Sequence, residues 1–118
     1  RGEDIVLKSD GKQRYSYTYM LDVATAFLTV LLKGEDGQAY NVADPGSIVT
    51  LGGLAEKMAE QNHCHVRYDI PSQSESAGFS HLKDGVMCAD KLETLGWKAL
   101  VSMNEGIAKT IQILSNHE

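Results

Sequence analysis

The stretch GKQRYSYTYMLDVATAFLTVLLKG, Gly11–Gly34, decides the fold of this chain. Its first half alternates aromatic and small polar residues over Tyr15–Tyr19, and a period of two predicts a short, half-buried strand. Its second half repeats apolar residues at helical spacing, namely Ala24, Phe27, Leu28, Leu31 and Leu32. The stretch therefore predicts a strand followed by an amphipathic helix that ends at Lys33-Gly34.

Asp22 stands at the predicted start of this helix. A carboxylate at this place can accept hydrogen bonds from the unpaired backbone N–H groups of the first turn, and it complements the helix dipole. We therefore expect Asp22 to cap its own helix.

The rest of the chain alternates short strands with helices. Period-two patterns or short apolar runs predict strands at Glu3–Ser9, Ala39–Val42, Cys64–Ile70 and Val86–Met87. Helix signals follow Thr50, cover Ala89–Leu95, and follow Ser102, which opens a capping box, Ser102-Met103-Asn104-Glu105. Pro71–Lys83 is predicted to be a loop. The order is typical of an α/β or mixed α+β architecture, and 118 residues suit a single domain, 1–118.

Composition and charge argue against several functions. The net charge is −5 and the basic residues are scattered, so neither nucleic acid nor an anionic membrane is an expected partner. No apolar run is long enough to span a bilayer. The chain opens without a signal-peptide pattern, and Cys64 and Cys88 form no spaced pair, which together favour a cytoplasmic protein with reduced thiols. It also lacks an initiator methionine, so we expect that it was processed or cut from a longer protein.

The chain contains no self-contained active site that the sequence can identify. Phosphate-binding glycine loops, the G-x-S-x-G elbow, H-E-x-x-H and C-x-x-C are all absent, so no catalytic residue is predicted. In His63-Cys64-His65, a strand would place both histidines on one face and Cys64 on the other. At most two ligands would then converge, whereas zinc usually takes three or four, so no metal site is predicted.

Two polar residues are candidates for ligand binding on chemical grounds. Arg14 carries a planar guanidinium, which suits a diphosphate because it donates several hydrogen bonds in a fork. The alternative is a surface arginine beside a turn. Asn41 could contact a ligand, although an asparagine at a strand end more often caps its own turn. Trp97 is predicted to be an anchor of the core.

The order of several motifs resembles a known family, the C-terminal part of the NAD-dependent epimerase/dehydratases of the extended short-chain dehydrogenase/reductase superfamily. Within that family, the chain is most similar to the dTDP-glucose 4,6-dehydratase-like enzymes. The resemblance is carried by Arg14, Tyr17–Asp22, Gly37–Ala43, Leu54-Ala55-Glu56, Asp90–Trp97 and Asn104-Glu105-Gly106-Ile107.

The resemblance implies a substrate-binding region without its NAD-binding Rossmann half. NAD would be the cofactor of the longer parent, the fragment alone would be inactive, and its ligand would be a nucleotide-sugar. Arg14 would approach the diphosphate of that ligand, and Asn41 would lie in the pocket wall. Many relatives carry a second arginine before the last helices. Here that region, Ser76–Asp84, has none, so either Lys83 or His81 is the substitute or the phosphates of the ligand are held in a different way.

Two further readings remain open at this stage. The chain could be a stand-alone nucleotide-sugar-binding or regulatory module, or an interaction domain that binds no small molecule. The fragment hypothesis makes one physical prediction that the others do not. Loss of a Rossmann half should uncover apolar surface, so such a fragment is expected to form a homodimer or to bind a hydrophobic dye.

Overall fold

A computed structural model describes residues 3–72 and 82–116 of the chain. Its strands are β1 (Ile5–Leu7), β2 (Arg14–Ser16), β3 (Ile48–Thr50), β4 (Val66–Tyr68) and β5 (Asp84–Gly85). Its helices are α1 (Met20–Lys33), α2 (Leu51–Gln61), α3 (Asp90–Glu93) and α4 (Met103–Ser115), with a 3₁₀ turn at Pro45–Ser47. Over these two ranges, no helix combines the length and the apolar character needed to cross a membrane. The predicted mixed α/β class is confirmed.

The strands form two small sheets. In one, β1 pairs in parallel with β4, and Ile5 lies opposite Val66. In the other, β2 lies between β3, which runs antiparallel to it, and β5, which runs parallel to it. This second sheet places Arg14 opposite Thr50 on one side and opposite Asp84 on the other.

Asp22 connects α1 to a distant part of the chain. Helix α1 begins at Met20, two residues earlier than predicted, so Asp22 lies inside the first turn and is only 3% exposed. Its carboxylate accepts the backbone N–H of Leu100 at 3.1 Å and that of Val101 at 3.0 Å. The prediction that Asp22 caps its own helix is wrong, because the side chain lies on the buried face and is directed across to the segment before α4.

The main core cluster lies between α1, α3 and the segment around Ala43. Its buried members are Ala26, Ala43, Ala89, Leu92 and Trp97. The indole N–H of Trp97 donates to the carbonyl of Asp22 at 3.2 Å and to the Thr25 hydroxyl at 3.1 Å. The prediction that Trp97 anchors the core is therefore confirmed. Leu92 is the only large side chain among the described residues that is less than 2% exposed, so this core is small.

The apolar stripe predicted for α1 is present, but it faces solvent and not the core. Phe27 is 67% exposed, and Leu31 and Leu32 are each 79% exposed. The buried face instead carries Asp22 and Ala26. At 3.6 residues per turn, the exposed apolar side chains from Phe27 round to Leu32 span an arc of roughly 140°. Periodicity detected this stripe correctly, but the described residues do not cover it.

Five predicted strands differ from the structure. Ala39–Val42 is not a strand, the strand predicted at Glu3–Ser9 shortens to Ile5–Leu7, and the strand predicted at Tyr15–Tyr19 lies at Arg14–Ser16. The strand predicted at Val86–Met87 lies earlier, at Asp84–Gly85. The strand at Cys64–Ile70 shortens to Val66–Tyr68, and Ile70, predicted to face inward, is 66% exposed. Strands are defined by their neighbours, and a single segment does not reveal how much of it finds a partner.

Two predicted helix starts are confirmed by their caps. The Thr50 hydroxyl accepts the backbone N–H of Gly53 at 3.0 Å, and the Ser102 hydroxyl accepts that of Glu105 at 3.4 Å. The Glu105 carboxylate pairs with Lys109 at 3.0 Å, one turn further along α4. These local signals were reliable because a cap satisfies backbone groups only three residues away.

Gly11 provides a close approach between two backbones. Its carbonyl accepts the N–H of Gly52 at 2.8 Å, and its φ is +68°. A Cβ on Gly11 would lie 3.0 Å from the Cα of Gly52. We expect Gly11→Ala to lower the free energy of unfolding by about 2 kcal/mol, measured by urea denaturation.

Gly37→Ala is the matched control for this substitution. Gly37 has a similar φ of +73°, but a Cβ there would meet nothing within 4 Å. It should show only the conformational part of the effect, about 1 kcal/mol. Equal losses in the two variants would contradict a role for backbone contact at Gly11.

Candidate functional site

The three predicted binding residues lie along one segment, Lys83–Cys88, which we call the edge segment. Lys83 is its first residue, and Arg14 and Asn41 contact its two ends. At its start, the backbone N–H of Arg14 donates to the carbonyl of Lys83 at 2.9 Å. At its end, the side-chain amide of Asn41 donates to the carbonyl of Cys88 at 3.2 Å. An extended segment rises about 3.3 Å per residue, so these two contacts lie up to about 17 Å apart. The structure therefore groups the three residues along a line and not at one point.

The guanidinium of Arg14 is paired with the carboxylate of Asp84. Nη2 of Arg14 lies 2.8 Å from Oδ2 of Asp84, and Nε lies 3.4 Å from Oδ1. The side chains are 53% and 55% exposed. Their hydrogen bond raises the pKa of Arg14 and lowers the pKa of Asp84, so both groups are charged at neutral pH. Arg14 is thus fixed in direction while still open to solvent.

Lys83 contacts Arg14 through its backbone, because its carbonyl accepts the Arg14 N–H at 2.9 Å one residue before β5 begins. Asp84 is the residue whose side chain meets that of Arg14. Asp10 lies within electrostatic reach of Lys83. The backbone N–H of Lys12 is the main cause that lowers the pKa of Asp10, and the charges of Lys12 and Lys83 add to it. A role for Lys83 beside Arg14 stays a prediction. His81, the other candidate, lies outside the described residues.

The middle of the edge segment is held by Ser16. Its hydroxyl accepts the backbone N–H of Met87 at 3.0 Å. Asn41 is exposed at the far end, and its contact with Cys88 links the unpaired segment 39–42 to the edge segment. Sequence reasoning assigned no role to Asp84 or Ser16. Their partners are about 70 residues away, and only the strand register brings them together.

The His63-Cys64-His65 cluster does not form the arrangement that the sequence predicted. Strand β4 begins at Val66, and His63 lies in the turn after α2 with a φ of +54°. His65 lies 3.5 Å from Asp4, which also accepts a hydrogen bond from Arg67. No group of three histidine, cysteine or acidic side chains comes together as a metal site within residues 3–72 and 82–116.

A groove of about 250 Å³ lies between α2 and α4. It is mostly apolar, and its lining includes Tyr17, Tyr19, Met58, Met103, Ile107 and Ile111. None of the three predicted binding residues is part of its lining. The polar site along the edge segment and this apolar groove are therefore separate features.

Comparison with known proteins agrees with the motif order. The model of the NAD dependent epimerase/dehydratase family matches residues 1–43. A mouse protein named dTDP-D-glucose 4,6-dehydratase is 34% identical over 117 residues, which cover 90% of this chain and 30% of that protein. The chain is therefore related to the NAD-dependent epimerase/dehydratase family. It spans about a third or less of the length of such relatives, including a dTDP-glucose 4,6-dehydratase of Xanthomonas campestris that is 29% identical.

Solved structures of this family share the fold. A dTDP-glucose 4,6-dehydratase of Bacillus anthracis in complex with NAD matches with a TM-score of 0.84 at 20% identity. A UDP-glucose 4-epimerase of Thermotoga maritima with UDP-glucose matches with a TM-score of 0.83 at 24% identity. Each match covers 99% of this chain and 36% of the solved one. The chain has the fold of the C-terminal part of an extended short-chain dehydrogenase/reductase.

Proposed function

We propose that this chain is the nucleotide-sugar-binding part of an NAD-dependent enzyme of the dTDP-glucose 4,6-dehydratase type. The parent enzyme would be a longer cytoplasmic protein whose upstream half binds NAD and carries the catalytic residues. The chain itself would bind the substrate and would not turn it over. The relatives, which are named as dTDP-glucose 4,6-dehydratases, support the reaction type, and the structural neighbour with UDP-glucose supports the ligand class.

The position of Arg14 is the observation that carries the proposal. A diphosphate needs donors that are charged, directed and reachable by solvent. Arg14 meets these needs because β2 is held on both sides and its guanidinium remains 53% exposed. The backbone of the edge segment passes beside it and extends toward Asn41, so an elongated ligand would have contacts along its length.

The exposed apolar surface favours a piece of an enzyme over a stand-alone module. The outer face of α1 presents six large, exposed apolar side chains, namely Met20, Leu21, Phe27, Leu28, Leu31 and Leu32. Soluble monomers rarely expose such a contiguous face. An upstream half that packs on α1 would cover it, and a homodimer would cover it in part.

The unpaired segment 39–42 supports the same arrangement. Its sequence, Ala39-Tyr40-Asn41-Val42, has strand character, and it has no strand partner among residues 3–72 and 82–116. Tyr40 and Val42 pack against the core cluster that includes Ala26 of α1. Addition of this segment to the edge of a Rossmann sheet would satisfy its backbone and bring α1 onto that sheet.

Substitution of Arg14 tests the proposal in the parent enzyme. We expect Arg14→Ala to raise the KM for the nucleotide-sugar about tenfold to a hundredfold, since charge-assisted hydrogen bonds to the diphosphate are lost. The kcat should change by less than about threefold, because hydride chemistry lies elsewhere. Steady-state kinetics at several substrate concentrations give both constants.

Arg67→Ala is the matched control for Arg14→Ala. Arg67 is also exposed and also pairs with an aspartate on a neighbouring segment, Asp4, at 2.6 Å. Its loss removes an equivalent surface ion pair away from the edge segment, so the KM should stay within about twofold of the original value. An unchanged KM in Arg14→Ala, or an equal rise in both variants, would refute the proposed role of Arg14.

A further inference from the structure

We propose that Asp84 competes with the diphosphate of the ligand for Arg14 and thereby weakens the binding of that ligand. This inference rests on the proposed function, because it takes Arg14 as the diphosphate-binding residue. It adds that the Asp84 carboxylate opposes the diphosphate within the site, so removal of its charge should tighten binding.

The pair occupies the edge of the guanidinium that a bidentate ligand would use. Nε and Nη2 of Arg14 both donate to the Asp84 carboxylate. An arginine binds carboxylates and phosphates through such parallel donors, so the same edge cannot serve two anions at full strength. A diphosphate that approaches from this side must displace Asp84 or accept its repulsion.

The backbone fixes Asp84 in this position. Residues 84 and 85 form β5, and the register of β5 with β2 places Asp84 directly opposite Arg14. A Cβ on the next residue, Gly85, would lie only 2.6 Å from the ring of Tyr15, so this part of β5 is packed closely against β2. The strand register therefore keeps the backbone of Asp84 beside that of Arg14, within reach of the guanidinium.

The neighbouring charged residues Lys12, Lys83 and Asp10 interact with one another and do not neutralise Arg14 as Asp84 does. Lys12 pairs with Asp10 at 3.5 Å, and Lys83 acts on the same Asp10. The charges of Lys12 and Lys83 thus act on Asp10, whereas the charge of Arg14 is shared with Asp84. Loss of the Asp84 charge would leave the charge of Arg14 without this partner at the place where the diphosphate is proposed to bind.

The exposure of both partners makes this a competition and not a block. Each side chain is more than half exposed, and exposed ion pairs hold only weakly against another partner or salt. A diphosphate, with its higher charge, can replace the carboxylate. We therefore expect a moderate effect: removal of the Asp84 charge should tighten nucleoside diphosphate binding about threefold to tenfold.

The experiment is a calorimetric titration of the parent enzyme with dTDP and with UDP, which gives the Kd of each ligand at two salt concentrations. Asp84→Asn removes the charge and keeps the shape, and it should lower the Kd about threefold to tenfold at low salt. Asp84→Glu keeps the charge and should stay near the original Kd. Asp4→Asn, which removes the matched partner of Arg67, should also leave the Kd unchanged.

Binding of thymidine and uridine separates an electrostatic effect from a structural one, because a change in the shape of the site would alter their affinity as well. They lack phosphates, so Asp84→Asn should leave their affinity unchanged if the effect is electrostatic. An unchanged or weaker affinity for dTDP and UDP in Asp84→Asn would overturn the inference, as would an equal gain for the nucleosides. The proposed function fails in a different comparison: if the original enzyme and Arg14→Ala bind both diphosphates equally, both proposals are refuted.

Discussion

Asp22→Ala is expected to lower the free energy of unfolding by about 3–5 kcal/mol, one of the two largest effects that we predict. The carboxylate of Asp22, which is 3% exposed, accepts the N–H groups of Leu100 and Val101, and alanine would leave both part-buried donors without this partner. Each buried donor left unpaired costs about 1–3 kcal/mol, and the loss of a charged acceptor adds to it. Urea denaturation followed by circular dichroism would measure the change.

Two controls separate this mechanism from a general effect of losing a carboxylate. Asp22→Asn keeps one acceptor oxygen but turns an N–H₂ group toward the other donor, so we expect about half of the loss. Asp36→Ala removes an exposed aspartate in the turn after α1 and should change stability by less than about 0.5 kcal/mol. If Asp22→Ala were as mild as Asp36→Ala, the two backbone contacts would not contribute to stability.

Leu31→Glu is expected to act very differently in the chain alone and in the parent enzyme. In the chain, Leu31 is 79% exposed, so the substitution should change the free energy of unfolding by less than about 0.5 kcal/mol. In the parent, the proposed upstream half covers this face of α1. A glutamate buried there without a partner should then cost more than about 3 kcal/mol and should separate or unfold the two halves. Thermal unfolding of both proteins measures the contrast.

Leu31→Met is the matched control, because it keeps an apolar side chain of similar volume. It should be tolerated within about 1.5 kcal/mol in both proteins. The chain alone should also bind a hydrophobic dye or self-associate, and Leu31→Glu should reduce that response. Equal tolerance of Leu31→Glu in the chain and in the parent would refute the proposal that an upstream half packs on α1.

The predictions from sequence were most accurate where the determining contacts are local. The starts of α2 and α4 follow from Thr50 and Ser102, whose hydroxyls bond to N–H groups three residues ahead. The burial of Trp97 follows from its size and apolar character. The assignment of Asp22 to its own helix was wrong, because the sequence cannot show that residues 100 and 101 offer their N–H groups to it.

In the candidate site, too, the residues could be selected from the sequence, but their contacts across the chain could not. Arg14 could be selected from the sequence, because a guanidinium between a turn and a strand suits an anionic ligand. Asp84 could not be assigned to it, since the two residues are 70 positions apart and an acidic residue after Lys83 has many possible partners. The face of α1 was identified as apolar but was placed in the wrong environment, because periodicity reveals a stripe without showing what covers it.

By itself, the sequence determined the mixed α/β class, the caps of α2 and α4, the apolar character of α1 and the family to which the chain is related. Each of these depends on residues within a few positions of one another or on the order of motifs along the chain. The tertiary structure alone decided that Arg14 faces Asp84, that Asp22 joins α1 to Leu100 and Val101, and that the stripe of α1 points outward. These contacts join segments that are remote in sequence, and strand register and helix rotation set them only when the whole chain is packed.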